Sequence, residues 1–159
     1  MGLVDFLKTF VAAMTPVGEL RFSIPLAIYT LNMHWASALA ISLAGNMVPV
    51  IVLTIFLHRF GELITSFPNP IGRLLTWRRV SIEASSAKLF SRYRSLALMI
   101  LVAIPLPLTG AWTGILAAWA FQIPPRVAIP TIASGLLISG TIVTIVSEMG
   151  IHIAVLMLD

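Results

Sequence analysis

Thr15-Pro16-Val17-Gly18-Glu19-Leu20-Arg21-Phe22-Ser23-Ile24-Pro25 sets an acid, a base, two prolines and a glycine inside an otherwise apolar N-terminal segment. A charged side chain at the centre of a bilayer costs roughly 2.5–3.5 kcal/mol on insertion scales. Pro16 and Pro25 each lack an N–H and clash with the carbonyl four residues back, so the segment cannot stay a straight helix. Broken backbone at membrane depth persists only where protein or a wet cavity covers it. Two charges in such a break make it the first candidate site, with Glu19 as a proton- or cation-responsive carboxylate and Arg21 as an anchor for an anion or phosphate. The competing roles are structural, an ion pair bracing a hairpin, or snorkelling to the interface if the segment lies shallow. Two residues apart, the side chains would point to nearly opposite sides of a continuous helix. Both face a protected interior only if the helix breaks between Pro16 and Pro25.

Outward from this stretch the chain has a recurrent build. Thr9 to Gly18 is a run of ten uncharged residues, about 15 Å of helix against a hydrocarbon core of about 30 Å. The return arm, Leu26 to Met33, is equally short. Ser95 to Ile104 is another such run, followed by Pro105-Leu106-Pro107-Leu108-Thr109-Gly110-Ala111-Trp112-Thr113-Gly114 and an arm from Ile115 to Gln122. Arms of half length around Pro/Gly-broken centres (Pro16, Gly18, Pro25; Pro105, Pro107, Gly114) predict re-entrant hairpins over about 9–33 and 95–123, with kinked full spans as the alternative. Longer uncharged spans follow each, over 35–57 and 127–147. A shift of 90 residues superposes the halves: Leu26-Ala27 on Leu116-Ala117, Ala38 on Ala128, Gly45 on Gly135, Thr54-Ile55 on Thr144-Ile145. If each half crosses once, the second begins on the opposite side, the pattern of inverted repeats with a site near the midplane. The expected fold is therefore an all-α integral membrane protein of two inverted repeats, 1–59 and 95–149, each a re-entrant helical hairpin followed by a transmembrane helix. Residues 60–94 connect them, and the tail, 150–159, either extends the last helix or lies at the interface.

Composition agrees with a membrane class. The chain is 58% hydrophobic and 10% charged, with a mean hydropathy of +1.00, where soluble domains carry about 25% charged residues. Seven of the ten basic residues (Arg59, Arg73, Arg78, Arg79, Lys88, Arg92 and Arg94) lie in or beside the connector, a positive-inside signal that places it in the cytoplasm of a multi-pass inner-membrane protein. Around Trp77 the connector reads as an amphipathic surface segment, with Arg78, Arg79, Arg92 and Arg94 at the interface. It lacks aromatic interleaving and any nucleic-acid module, which excludes nucleic acid as the partner. The start, Met-Gly-Leu-Val-Asp-Phe-Leu-Lys, is neither a signal peptide nor, with Phe6, a myristoylation start.

No cysteine is present, so thiolate chemistry and disulfides are excluded. His34, His58 and His152 are scattered without metal-ligand spacing, and no nucleophile motif, P-loop or dinucleotide fingerprint occurs. The expectation is no metal, no cofactor and no enzymatic activity. Further site candidates are Asn46, an amide within the first span that needs a partner in an apolar setting, and the second broken centre, with Thr109, Gly110, Trp112 and Thr113 at its tip. For these, ordinary helix packing is the competing role. Glu148 reads as an interfacial end residue.

Pro16-x-x-Glu19-Leu20-Arg21-x-x-Ile24-Pro25, Gly45-Asn46-x-x-Pro49 and Pro107-Leu108-Thr109-Gly110-Ala111-Trp112-Thr113-Gly114 resemble, in this order, the three signatures of the prokaryotic small multi-drug export protein family. Leu108 stands where that pattern carries a glycine. The family is similar to the wider DedA group, thought to carry paired re-entrant hairpins and to move lipids or respond to proton gradients. The resemblance implies Glu19 and Arg21 as functional positions, with the 109–114 tip opposite. The function expected is a membrane transporter or lipid translocator, proton-linked, acting on membrane lipids, an anionic lipid or a small anionic molecule. The alternative is a non-transporting membrane scaffold. A bundle this small favours a homodimer.

Overall fold

The computed structural model describes residues 2–16, 18–66, 77, 80, 94–105 and 110–158, the side chains of 64–66 and 151–158 excepted, and among these it is helical without strands. In chain order the helices are α1 (Leu3–Met14), α2 (Glu19–Pro25) running on as a π-helix (Leu26–Thr30), α3 (Trp35–Ser66), α4 (Arg94–Ala103), α5 (Ala111–Ala120) and α6 (Pro125–Leu158). Most of the connector, with Arg78, Arg79 and Arg92, lies outside the described residues, as do Pro107 and Thr109.

Local chemistry explains the boundaries. At the start of α1 the Gly2 N–H donates to the Asp5 carboxylate at 3.1 Å, an acid placed where the helix N-terminus favours one. Helix α1 stops at Thr15, which is extended (φ −77°, ψ 147°), because a residue before proline is driven out of the α region. The Thr15 hydroxyl then closes the turn, donating to the Ala12 carbonyl at 2.8 Å and accepting the Gly18 N–H at 2.9 Å. A side chain at position 18 would strike the Ala12 carbonyl oxygen and Thr15 Oγ1, so the turn requires glycine. Thr9, midway along α1, donates to Met33 Sδ at 3.4 Å beyond the end of the π-helix. The second arm therefore runs back alongside the first.

Pro25 departs from expectation. It sits inside α2 rather than breaking it. The Leu26 N–H bonds the Phe22 and Ser23 carbonyls and the chain widens into the π-turn that follows, which absorbs the donor that proline lacks. The break thus shrinks to residues 15–18, and Glu19 and Arg21 share one continuous helix. Gly114 is likewise helical, its N–H bonded to the Gly110 carbonyl at 2.8 Å, and it leaves room for the Val102 side chain. Pro105 does lie at the end of α4, outside any helix.

Helices α3 and α6 run beyond the expected ends at 57 and 147. They have 32 and 34 residues, about 48 and 51 Å at 1.5 Å per residue. The stretches Trp35–Leu63 and Pro125–Gly150 are long and apolar enough to cross a membrane. Residues 150–158 continue α6, the first of the two expected alternatives for the tail, and Glu148 is a half-buried residue of that helix two positions before the apolar span ends at Gly150.

By contact the chain divides into two compact units, one of Met1–Val48 with Leu136–Asp159 and the other of Pro49–Gly135. In the first, the α1–α2 hairpin packs on the N-terminal part of α3 and the C-terminal part of α6. A methyl group on Gly45 would come within 2.5 Å of the Phe10 carbonyl oxygen and 2.9 Å of Ala13 Cβ, so the helices touch backbone to backbone. Tyr29 donates to the Ser147 carbonyl at 2.5 Å. In the second unit, α4 and α5 pack on the C-terminal part of α3 and the N-terminal part of α6. Gly135 there meets the Met99 carbonyl oxygen and Val102 Cβ, each at 2.8 Å from an added methyl.

Positions 90 apart carry the same local build. Asn32 and Gln122 both take positive φ, 50° and 53°, ending the second arm of their hairpins. Around Gln122 the Ile123 N–H reaches the Ala118 carbonyl (2.8 Å) and the Gln122 N–H the Trp119 carbonyl (3.1 Å), a Schellman closure. Met33 and Ile123 are buried behind those turns, as are Ala38 and Ala128, Gly45 and Gly135, and Thr54 and Thr144.

Candidate functional site

Helix α2 has three kinds of surface. Leu20 and Ile24 are buried and lie against Gly140 of α6. Phe22 is exposed, at 57%, with Arg21 half-buried beside it. Glu19 and Ser23, one turn apart, form the third surface. Both are buried, and Ser23 donates from its hydroxyl to Ser42 Oγ on α3 at 2.9 Å.

The Ser23–Ser42 bond fixes the register of two helices that run in opposite directions through the turn at 31–34. One turn further on from it, Glu19 on α2 and Asn46 on α3 come level. Helical spacing thus aligns four buried polar residues, Glu19, Ser23, Ser42 and Asn46, at 7%, 0%, 0% and 0% exposure, joined at their centre by the Ser23–Ser42 bond. Arg21, two positions from Glu19, is attracted electrostatically by its carboxylate. Helical geometry explains why one of the charged pair is buried and the other only half so.

Two features of this line are costly. Glu19 has φ 40°, a left-handed conformation that costs a non-glycine residue about 1–2 kcal/mol. Neither Nδ2 nor Oδ1 of Asn46 has a hydrogen-bond partner, although the residue is enclosed. The positions equivalent to Ser42 and Asn46 on α6 are Ile132 and Leu136, both buried. Packing at this level of α6 is thus met by apolar side chains, and the α3 part of the polar line has no polar counterpart on α6. Asn46→Leu is therefore expected to raise stability by about 1–3 kcal/mol, the cost of leaving a buried amide unsatisfied. Thermal unfolding of the purified protein in detergent reads this directly, and a comparable loss of stability would show the amide to be structurally bonded.

The other expected residues fall elsewhere. Gly110 is buried with φ 124°, a conformation that favours glycine, and it opens α5. Trp112 and Thr113 are half-buried in the first turn of that helix, and Arg94 is exposed at the start of α4. His34 is exposed and its ring lies 5.3 Å from that of Trp35, tilted by 35°. Among the described residues no group of three or more His, Cys, Asp or Glu could hold a metal. Ser23 and Ser42 were not singled out from sequence. Their signal was spacing, since Ser23 lies four residues after Glu19 and Ser42 four before Asn46.

A family model described as "Putative small multi-drug export protein" matches residues 19–142. No curated protein and no solved structure matches the chain. The match begins at Glu19, just after the first break, and takes in α2, α3, α4, α5 and α6 as far as residue 142; the chain belongs to the small multi-drug export protein family.

Proposed function

We propose that this membrane protein is a transporter whose working site is the polar line on the first hairpin, with Glu19 exchanging an ion, a proton in the simplest case, and Arg21 receiving an anionic group of the cargo. The family description, an exporter, supports transport over catalysis. The observation that carries the site is the burial of Glu19 one helical turn from Ser23, which bonds Ser42 one turn from an unpartnered Asn46, next to a strained and broken backbone. Strain and intramembrane charge of this kind cluster at functional positions. Arg21 flanks the exposed Phe22, so an amphiphile can approach it sideways from the lipid. That favours a lipid or lipid-like anionic cargo over a strictly water-borne one.

The arms are too short to cross. Helix α1 has 12 residues, about 18 Å against about 30 Å of hydrocarbon, which supports re-entrant hairpins. With the 90-residue correspondence, each half then crosses once and the halves are inverted. This topology puts both termini on the side opposite the basic connector. Labelling of engineered terminal cysteines with a membrane-impermeant reagent is expected to place both outside the cell. Termini on the connector's side would establish kinked full spans instead.

The functional test is reconstitution of the pure protein in liposomes. Movement of a headgroup-labelled anionic phospholipid, or of protons under an imposed pH gradient, is expected above the level of protein-free vesicles. Absence of any flux would favour a non-transporting scaffold.

A further inference from the structure

We infer that Glu19, Ser23, Ser42 and Asn46 form a binding site for a dehydrated monovalent cation, sodium. The inference rests on the reading of Glu19 as the ion-exchanging residue and names a metal ion that this residue would hold. The donor set is a carboxylate, two hydroxyls and a carboxamide oxygen, without nitrogen or sulfur ligands of the transition-metal kind. Oxygen-only sites suit hard cations. All four side chains are buried, so an ion entering among them exchanges its water for protein oxygens.

Asn46 is the decisive residue. Its Oδ1 is enclosed and accepts no hydrogen bond, while the equivalent position on α6 is filled by the buried Leu136. The fold does not need an amide there, but a cation does need a fixed acceptor. Ser42, one turn earlier on α3, is already pinned to Ser23 at 2.9 Å, so two of the donors are held in place before the ion arrives.

Charge sets the valence. One carboxylate balances one positive charge; a divalent ion would leave an excess charge in an apolar surrounding, and calcium sites recruit several carboxylates. Arg21 interacts with Glu19, but it lies two residues along the helix and half-buried. A sodium ion on the Ser23 side therefore takes over the Glu19 carboxylate and releases the guanidinium toward an anionic cargo.

The test uses the full-length protein purified in detergent, titrated with sodium chloride, potassium chloride or choline chloride at constant ionic strength and constant pH. A ligand that binds the folded state raises the unfolding temperature as its concentration rises. Sodium is expected to give a saturable rise that choline does not give and potassium gives only at tenfold or higher concentration. Asn46→Leu, which places on α3 the side chain α6 already carries, is expected to fold and to lose the sodium response, and Ser42→Ala to weaken it at least tenfold. Equal responses to the three salts, or a sodium response unchanged in Asn46→Leu, would overturn the site. Wild-type flux in liposomes without any sodium response would overturn the sodium site while leaving transport intact. A sodium response without flux would uphold the site and overturn transport.

Discussion

Gly45→Val is expected to prevent the first hairpin from seating on α3. The branched side chain would begin 2.5 Å from the Phe10 carbonyl oxygen and 2.9 Å from Ala13 Cβ. The first of these is backbone, which cannot rotate away, so the helices must move apart. Overpacking in well-packed cores costs about 1–3 kcal/mol and occasionally more. Here the added Cβ already clashes before the two methyl groups are counted, and a loss of about 3 kcal/mol or more follows. Helix association inside a membrane depends on such close approach by small residues, because lipid tails are as apolar as the side chains they replace. Gly45→Ala should show a smaller loss and Gly2→Ala none, since a methyl on Gly2 meets its nearest atom at 3.6 Å. Gly135→Val, with backbone and Cβ neighbours at 2.8 Å, should match Gly45→Val. Yield of folded protein and thermal unfolding in detergent read all four. A folded Gly45→Val of wild-type stability would contradict the backbone-to-backbone packing.

The break at 15–18 was legible because Pro16 and Gly18 each have a steric consequence that no tertiary context removes. The long helices were legible from their uncharged length, while the turns at Asn32 and Gln122, 90 residues apart and both of positive φ, had no signal among the identities that suggested a repeat. Pro25 was misread, since a proline inside a helix is accommodated when the next turn can widen, and sequence does not reveal which prolines find that relief. Gly114, expected at a break, lies inside α5, where its missing side chain leaves room for Val102. Charge drew attention to Glu19 and Arg21, but serines blend into transmembrane packing. Ser23 and Ser42 became part of the site only when the turn at 31–34 fixed which residues of α2 and α3 meet. The long spans are not equivalent in polarity, because Ser42 and Asn46 on α3 have the apolar counterparts Ile132 and Leu136 on α6.

Glu19→Gln is expected to reduce flux to the level of protein-free vesicles while the protein inserts and folds as before. Glutamine keeps the shape and the hydrogen-bonding reach of glutamate but cannot exchange a proton or neutralise a cation at constant structure. Burying a neutral amide costs less than burying a carboxylate, so stability should hold or rise. Arg21→Ala should also remove flux, but it leaves the Glu19 carboxylate buried without its countercharge and so carries a stability loss of its own. The double variant separates the roles. If the pair merely braces the hairpin, the two single losses are coupled and the double variant recovers stability and function together. If the pair handles ion and cargo, the double variant recovers stability and remains without flux.

The most direct measurement is therefore the rate at which a headgroup-labelled anionic phospholipid crosses liposomes carrying equal amounts of folded wild type or Glu19→Gln, with and without an imposed proton gradient. Wild-type movement that responds to the gradient, with Glu19→Gln indistinguishable from empty vesicles, is the predicted result. Equal movement by both proteins would contradict a working site at Glu19.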